Sequence, residues 1–231
     1  MKINFNKFIQ IAGVIDKEEA ELLINCGAEY LGFPLRLPVN KEDHTEEEAA
    51  EIIAGIGQRA VPILITYLNE HKKIIEFAAK LNVKCVQLHG TVSPVEVEHL
   101  KKEAPEISVI KSLIVRKDNL EELKEETILL EPFADAFITD TFDPQTGAEG
   151  ATGKTHNWEI SREIVNTAKR PVILAGGLNP SNVKDAILKV KPAGVDVHTG
   201  VENSDGRKNK ILVDEFIRNA DEAFAMIENE N

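Results

Sequence analysis

The chain has 231 residues, 42% of them hydrophobic, two cysteines and a formal net charge of −12. That apolar share supports a packed core and excludes global disorder. The acidic balance argues against a nucleic-acid or anionic-membrane surface, while a local basic site for phosphate stays open.

Cys26 and Cys85 sit in apolar runs and form no metal pattern, so they read as free core thiols rather than a disulfide. The opening MKINFNKFIQ lacks an apolar signal core, and no run is long enough to span a bilayer. A cytoplasmic protein without a membrane partner is expected.

In chain order, short apolar runs alternate with helical patterns. Phe8 to Ile15 reads as strand one. Lys17 to Asn25 reads as a helix with Ala20, Leu23 and Ile24 on one face, ended by Gly27. Ala28 to Phe33 is strand two. After a polar loop, Thr45 and Glu48 form a capping-box pattern ahead of Ala49, Ile52, Ile53 and Ile56. Val61 to Thr66 is strand three, and Asn69 is placed to cap a helix carrying Ile74, Phe77, Ala78 and Leu81. Val83 to Leu88 is strand four. Ser93-Pro94-Val95-Glu96 repeats the capping box with Pro at the first helical position. Ile107 to Leu113 is strand five, Asn119 to Leu129 a weaker helix, and Ala134 to Thr139 strand six, followed directly by Asp140. A Gly-rich loop, Thr141 to Thr155, leads to a helix over Trp158 to Ala168. Val172 to Leu174 and Val195 to Val197 are strands seven and eight, with a helix after Pro180 between them. The last helix carries Leu212, Phe216, Ile217, Ala220 and Phe224.

Eight near-continuous apolar strands, each followed by a helix, point to a parallel sheet covered by helices. At this length, eight units fit an α/β protein of the (β/α)8 TIM-barrel type, one domain over 1–231, better than an open doubly wound sheet. In such a barrel the chemistry sits at the carboxyl ends of the strands, and phosphate binds at the loops after strands seven and eight. Two glycine turns fall there, Gly176-Gly177 and Thr199-Gly200. Free N–H groups and a helix N-terminus after Pro180 make them a phosphate candidate.

Other side chains gather at the same strand ends. Asp140 follows a buried strand, a costly place for a carboxylate without a task, so it is a candidate general acid, a loop cap being the alternative. Arg36 can clamp a carboxylate or phosphate in bidentate fashion. Gln87, His89 and His198 complete the mouth, the histidines as acid–base or structural groups. Lys111 alternates in phase with Ile107 and Val109, which would aim it into the barrel, with a structural ion pair as the alternative. The stretch Gly150-Ala151-Thr152-Gly153-Lys154-Thr155 is not a P-loop, because a Walker A needs Gly where Ala148 stands. It reads as a lid or substrate loop.

Together these residues resemble the phosphoribosylanthranilate isomerase family of tryptophan biosynthesis, nearly end to end. The matching pieces are A-E-Y-L-G-F with Arg36, V-Q-L-H-G at Val86–Gly90, Thr139-Asp140-Thr141 with the G-x-x-G-K-T loop and Trp158, A-G-G-L-N-P-S-N-V at Ala175–Val183, and V-D-V-x-x-G-V-E at Val195–Glu202. The resemblance implies an Amadori-type aldose–ketose isomerisation of a phosphoribosyl amine, with no metal or organic cofactor. It makes Asp140 the acid that opens the sugar ring and Arg36 the contact to the anthranilate carboxylate. Phosphate falls to Gly176, Gly177, Thr199 and Gly200, and Asp196 borders the site. The substrate is a phosphorylated small molecule, and the protein is a monomer or homodimer.

One departure stands out. The family's first strand reads K-I-C-G-I, with Cys as the general base, whereas this chain has Gln10-Ile11-Ala12-Gly13-Val14. The Ser-rich pair after strand eight has become His198-Thr199. Three readings follow: the same isomerase with another base such as His198, an isomerase or epimerase of a different phosphosugar using His198, or a non-catalytic phosphosugar-binding relative.

Overall fold

The computed structural model describes residues 3–37, 44–141 and 155–229. Its strands are β1 (Phe8–Ala12), β2 (Tyr30–Pro34), β3 (Val61–Thr66), β4 (Cys85–Leu88), β5 (Ser108–Val115), β6 (Ala136–Thr141), β7 (Val172–Leu174) and β8 (Gly194–Val197). Each is followed by its helix: α1 (Lys17–Asn25), α2 (Glu46–Ile56), α3 (His71–Leu81), α4 (Pro94–Glu103), α5 (Leu120–Leu130), α6 (Trp158–Thr167), α7 (Val183–Val190) and α8 (Lys210–Asn229). All neighbours pair in parallel, and β8 returns to β1 to close the barrel. The (β/α)8 expectation holds. Among the described residues no helix is long and apolar enough to cross a membrane.

Strand alternation sorts side chains into two apolar layers. One face of each strand packs outward on the helices, where Ile11, Leu31, Leu64, Val86, Val109 and Val195 join Phe77, Leu100, Ile187 and Phe216. The other face fills the barrel with Phe8, Tyr30, Ile63, Cys85, Ile110, Ala136 and Ile173. Cys85 is buried there and Cys26 is half-buried; both are free, as expected. Burial pushes the Cys85 thiol far above its ordinary range, so it is no reserve of thiolate.

The caps show where local sequence rules hold. Thr45 and Glu48 form the full capping box, an arrangement worth about 1 kcal/mol. Ser93 caps α4 with Pro94 in the first turn, but the Glu96 carboxylate does not reach back. It instead accepts the backbone N–H of His71 at 2.7 Å. Asn69 therefore does not cap α3: the cap position falls on Glu70, which makes no side-chain cap bond, and the orphan donor is met from the neighbouring helix. Nor does α7 begin at Pro180. Asn182 accepts from Asn179 N–H at 2.8 Å and donates to Gly177 O at 3.0 Å. That closed turn delays the helix to Val183.

Lys111 makes the structural ion pair the sequence favoured, and only its aim into the barrel is corrected. It does share a face with Val109, but that face looks outward. Its Nζ lies 3.2 Å from Glu126 of α5 and donates to Ser112 O. The parity was legible in the sequence; which face was the interior was not.

Candidate active site

At the carboxyl end of the barrel the inward residues turn from apolar to polar. Gln10, Gln87, Ser112, Asp140 and Asp196 all point inward by strand alternation, and all are buried. Asp140 lies within β6 rather than after it. Asp140, Asp196, Val197, His198, Thr199 and Gly200 line one cleft with Gly176, Gly177 and Leu178. The structure thus brings the two predicted catalytic residues together with the four predicted phosphate residues.

The glycines answer to backbone conformation and to close approach. Gly176 and Gly177 have φ of 87° and 63°, the left-handed region that favours glycine. A Cβ on Gly200 would lie 1.8 Å from Leu178 O, so the loops after β7 and β8 touch. A single 3₁₀ turn, Thr199–Val201, opens at that contact. It, rather than α7, brings a helical N-terminal turn beside Gly176-Gly177.

Asp140 accepts the backbone N–H of Thr141 at 2.7 Å. Burial raises its carboxyl above the ordinary range, opposed by the charge of nearby His89 and by the Thr141 bond. His89 bonds Ser112 Oγ at 3.0 Å through Nδ1 and packs edge-on to Tyr67. Its place beside the acid fits the expected mouth. Gln87 lies one inward position deeper and accepts from Gln10 Nε2 at 3.0 Å.

Asp196 is paired in register with Gln10 on β1. Burial, and next the Asp140 carboxylate, push it up to about 8. Its Oδ1 is buried without a hydrogen-bond partner among the described residues. Two carboxyls in one dry cleft cannot both ionise cheaply. The consequence for stability has a definite sign. Below pH ~4 Asp196 is protonated both folded and unfolded; between ~4 and ~8 only the folded chain keeps the proton. Stability drawn from this group is therefore lost as pH rises across that range. Asp196→Asn is expected to be more stable than the parent at pH 8, by about 1–3 kcal/mol, with the gap closing towards pH 4. Urea unfolding at both pH values checks this; a parent whose stability does not fall relative to the variant would show that Asp196 ionises freely in the fold.

His198 sits at the end of β8. The β1–β8 ladder, ending at Ile11↔Val197, sets Ala12 and His198 side by side. A Cβ on Gly13 would lie 2.1 Å from His198 Nε2, so the imidazole covers the end of β1 and Gly13 must remain bare. Nε2 also lies 3.5 Å from Glu202 Oε1. Burial and the nearby Lys208 ammonium hold the ring neutral, below the ordinary histidine range. The side chain is still 27% exposed, so solvent at the mouth offsets part of that push.

Arg36 is not among the residues that line this cleft. Its Nε bonds Glu46 at 2.8 Å and its guanidinium lies 3.8 Å over the Phe77 ring. It holds the Glu46 carboxyl down at about 2. The Gly150–Lys154 part of the proposed lid lies outside the described residues; Thr155 is exposed. Sequence reading missed His156, which bonds Thr141 Oγ1 at 2.9 Å and Ser161 Oγ at 2.6 Å behind Gly176. Burial pushes it down to about 4. Only its position between a strand-end Thr and a helix-facing Ser signals it. Gln10 was likewise passed over, though it is the one polar residue in the first apolar run.

A closed parallel barrel whose polar layer lies at the carboxyl ends, opening on a glycine-lined cleft, defines a (β/α)8-barrel enzyme. Residues 9–219 match the family described as N-(5'-phosphoribosyl)anthranilate (PRA) isomerase. The chain is 34% identical over 223 residues to N-(5'-phosphoribosyl)anthranilate isomerase 2 of Methanosarcina mazei, covering 96% of this chain and 97% of that one. Phosphoribosylanthranilate isomerase from Thermotoga maritima superposes with a TM-score of 0.79 at 28% identity, covering 94% and 99% of the two chains. Another isomerase structure, in complex with reduced 1-(o-carboxyphenylamino)-1-deoxyribulose 5-phosphate, gives 0.76 at 27% identity over 94% and 99%. The chain belongs to the phosphoribosylanthranilate isomerase family.

Proposed function

We propose that this chain rearranges N-(5'-phosphoribosyl)anthranilate to the corresponding aminoketose phosphate, with Asp140 as general acid and His198 as general base. The observation that carries this reading is one cleft lined by Asp140, His198, Gly176-Gly177 and Thr199-Gly200. An acid, a base and a glycine-lined anion cradle then face one small molecule.

In this reading the phosphate rests against the backbone of the two glycine turns. Asp140, whose carboxyl burial raises, in its acid form gives its proton to the ring oxygen and opens the sugar to a Schiff base. The iminium acidifies C2, and a base removes that proton. Ala12, standing where the family motif has Cys, cannot. His198 is its ladder neighbour and rests in the neutral form a base requires. Its Nε2 faces Gly13 and Glu202. A bound phosphate dianion raises the basicity of an imidazole beside it, so substrate itself offsets the push of Lys208.

Arg36 meets the anthranilate carboxylate by exchanging Glu46 for it, a swap of one carboxylate partner for another. His89 and Asp196 shape the floor, and Gln87 supports them from below through Gln10. The protein works as a monomer or homodimer in the cytoplasm; one T. maritima relative is described as dimeric and was also obtained as monomers. Purified protein is expected to consume phosphoribosylanthranilate, read as loss of its anthranilate fluorescence. Binding without turnover would replace this reading by the non-catalytic one, and neither binding nor turnover by that of a different phosphosugar.

A further inference from the structure

On the outer surface, away from the cleft, α3 and α4 bring four side chains with ligand atoms together. Glu96, His99 and Glu103 follow at i, i+3 and i+7 on α4, one stripe of a helix. His71 opens α3 opposite them. One ring nitrogen of His71, one of His99 and one carboxylate oxygen of Glu96 lie within 4.8 Å of one another. The two imidazoles meet at 72° with centroids 5.1 Å apart. Glu103 Oε1 lies 3.4 Å from His71 Nε2, across the ring from the Nδ1 that Glu96 meets.

The donor set is chemically selective. Two imidazoles with a carboxylate suit zinc and its divalent transition neighbours, not magnesium or calcium, which want oxygen alone. Tetrahedral zinc with bonds of about 2.0–2.2 Å places its ligands about 3.4 Å apart. The cluster therefore has to contract by little more than an ångström. His71 is the held member of the cluster. The His71 side chain is only 12% exposed, and its backbone N–H and Nδ1 are both held by Glu96 Oε2 at 2.7 Å. With Glu96 taken up as a ligand, Glu103 at Nε2 is the carboxylate that orients the ligating imidazole.

The geometry points to a divalent transition-metal site, of zinc type, formed by His71, Glu96 and His99 between α3 and α4. A bound ion ties together the starts of two helices. The loops ahead of those helices carry Tyr67 and His89, whose rings touch at the cleft mouth. The ion stabilises the folded chain by mass action, since the unfolded chain has no assembled ligand set.

Titration calorimetry of tag-free protein with zinc chloride tests it. We expect one equivalent bound and a rise in thermal midpoint with zinc but not with magnesium. His99→Ala, at an exposed position, is expected to weaken binding by tenfold or more, while His198→Ala leaves it unchanged. Absence of stoichiometric zinc binding, binding that survives His99→Ala, or binding lost in His198→Ala would overturn the assignment. A circular dichroism spectrum of His99→Ala equal to that of the parent separates loss of a ligand from loss of fold.

Discussion

Asp140→Asn is expected to lower the turnover of phosphoribosylanthranilate on the order of a hundred- to ten-thousand-fold, with KM little changed. The asparagine keeps the shape and still accepts the Thr141 N–H that Asp140 accepts at 2.7 Å. What it lacks is a proton to give. The parent's own pH profile carries the same signature. Burial lifts the Asp140 carboxyl above its usual range, so the acid form persists to a higher pH than that of an exposed aspartate. Turnover then falls on the alkaline side, as that form is lost. Steady-state fluorescence assays of both proteins, with thermal midpoints as a control on folding, decide the matter. A variant that keeps a tenth or more of the parent rate places the acid elsewhere.

The second large effect is expected at the replaced base. His198→Ala should cost a similar hundred- to ten-thousand-fold in kcat. Loss alone would not distinguish a base from a packing residue, because the ring covers Gly13. Adding Ala12→Cys to His198→Ala makes the distinction: the thiol enters from the neighbouring strand, beside the place the imidazole leaves. Recovery of tenfold or more in the double variant means that the cleft needs a proton acceptor at that spot and does not require the imidazole. Full activity in His198→Ala would remove His198 from the mechanism.

The barrel was legible because its strands are buried on both faces and read as apolar runs between helical patterns. The mouth was legible because polar residues there interrupt those runs: Asp140, Asp196, His89 and His198. Three things were not. The direction in which Lys111 points depends on where the barrel closes, which a single strand's alternation does not state. The cap of α3 is supplied by Glu96, 25 residues further on, and local cap rules see only four or five residues. The environment of Arg36 was hidden for the same reason, since Glu46 and Phe77 reach it from two different helices.

The Lys208 ammonium is wholly buried, bonded to Glu202 Oε1 at 2.5 Å and to His198 O at 3.1 Å. Its backbone N–H goes to Glu19 Oε1 at 2.7 Å, 189 residues earlier in the chain. These bonds latch the last unit of the barrel to the first. A chain still emerging, or cut before β8, leaves β1 and β7 as unpaired edges open to pairing with other molecules. It also leaves a buried glutamate without its donor. His198 belongs to the same last unit, so a chain without β8 also lacks the imidazole. The enzyme's chemistry and its protection from aggregation are completed by the same latch.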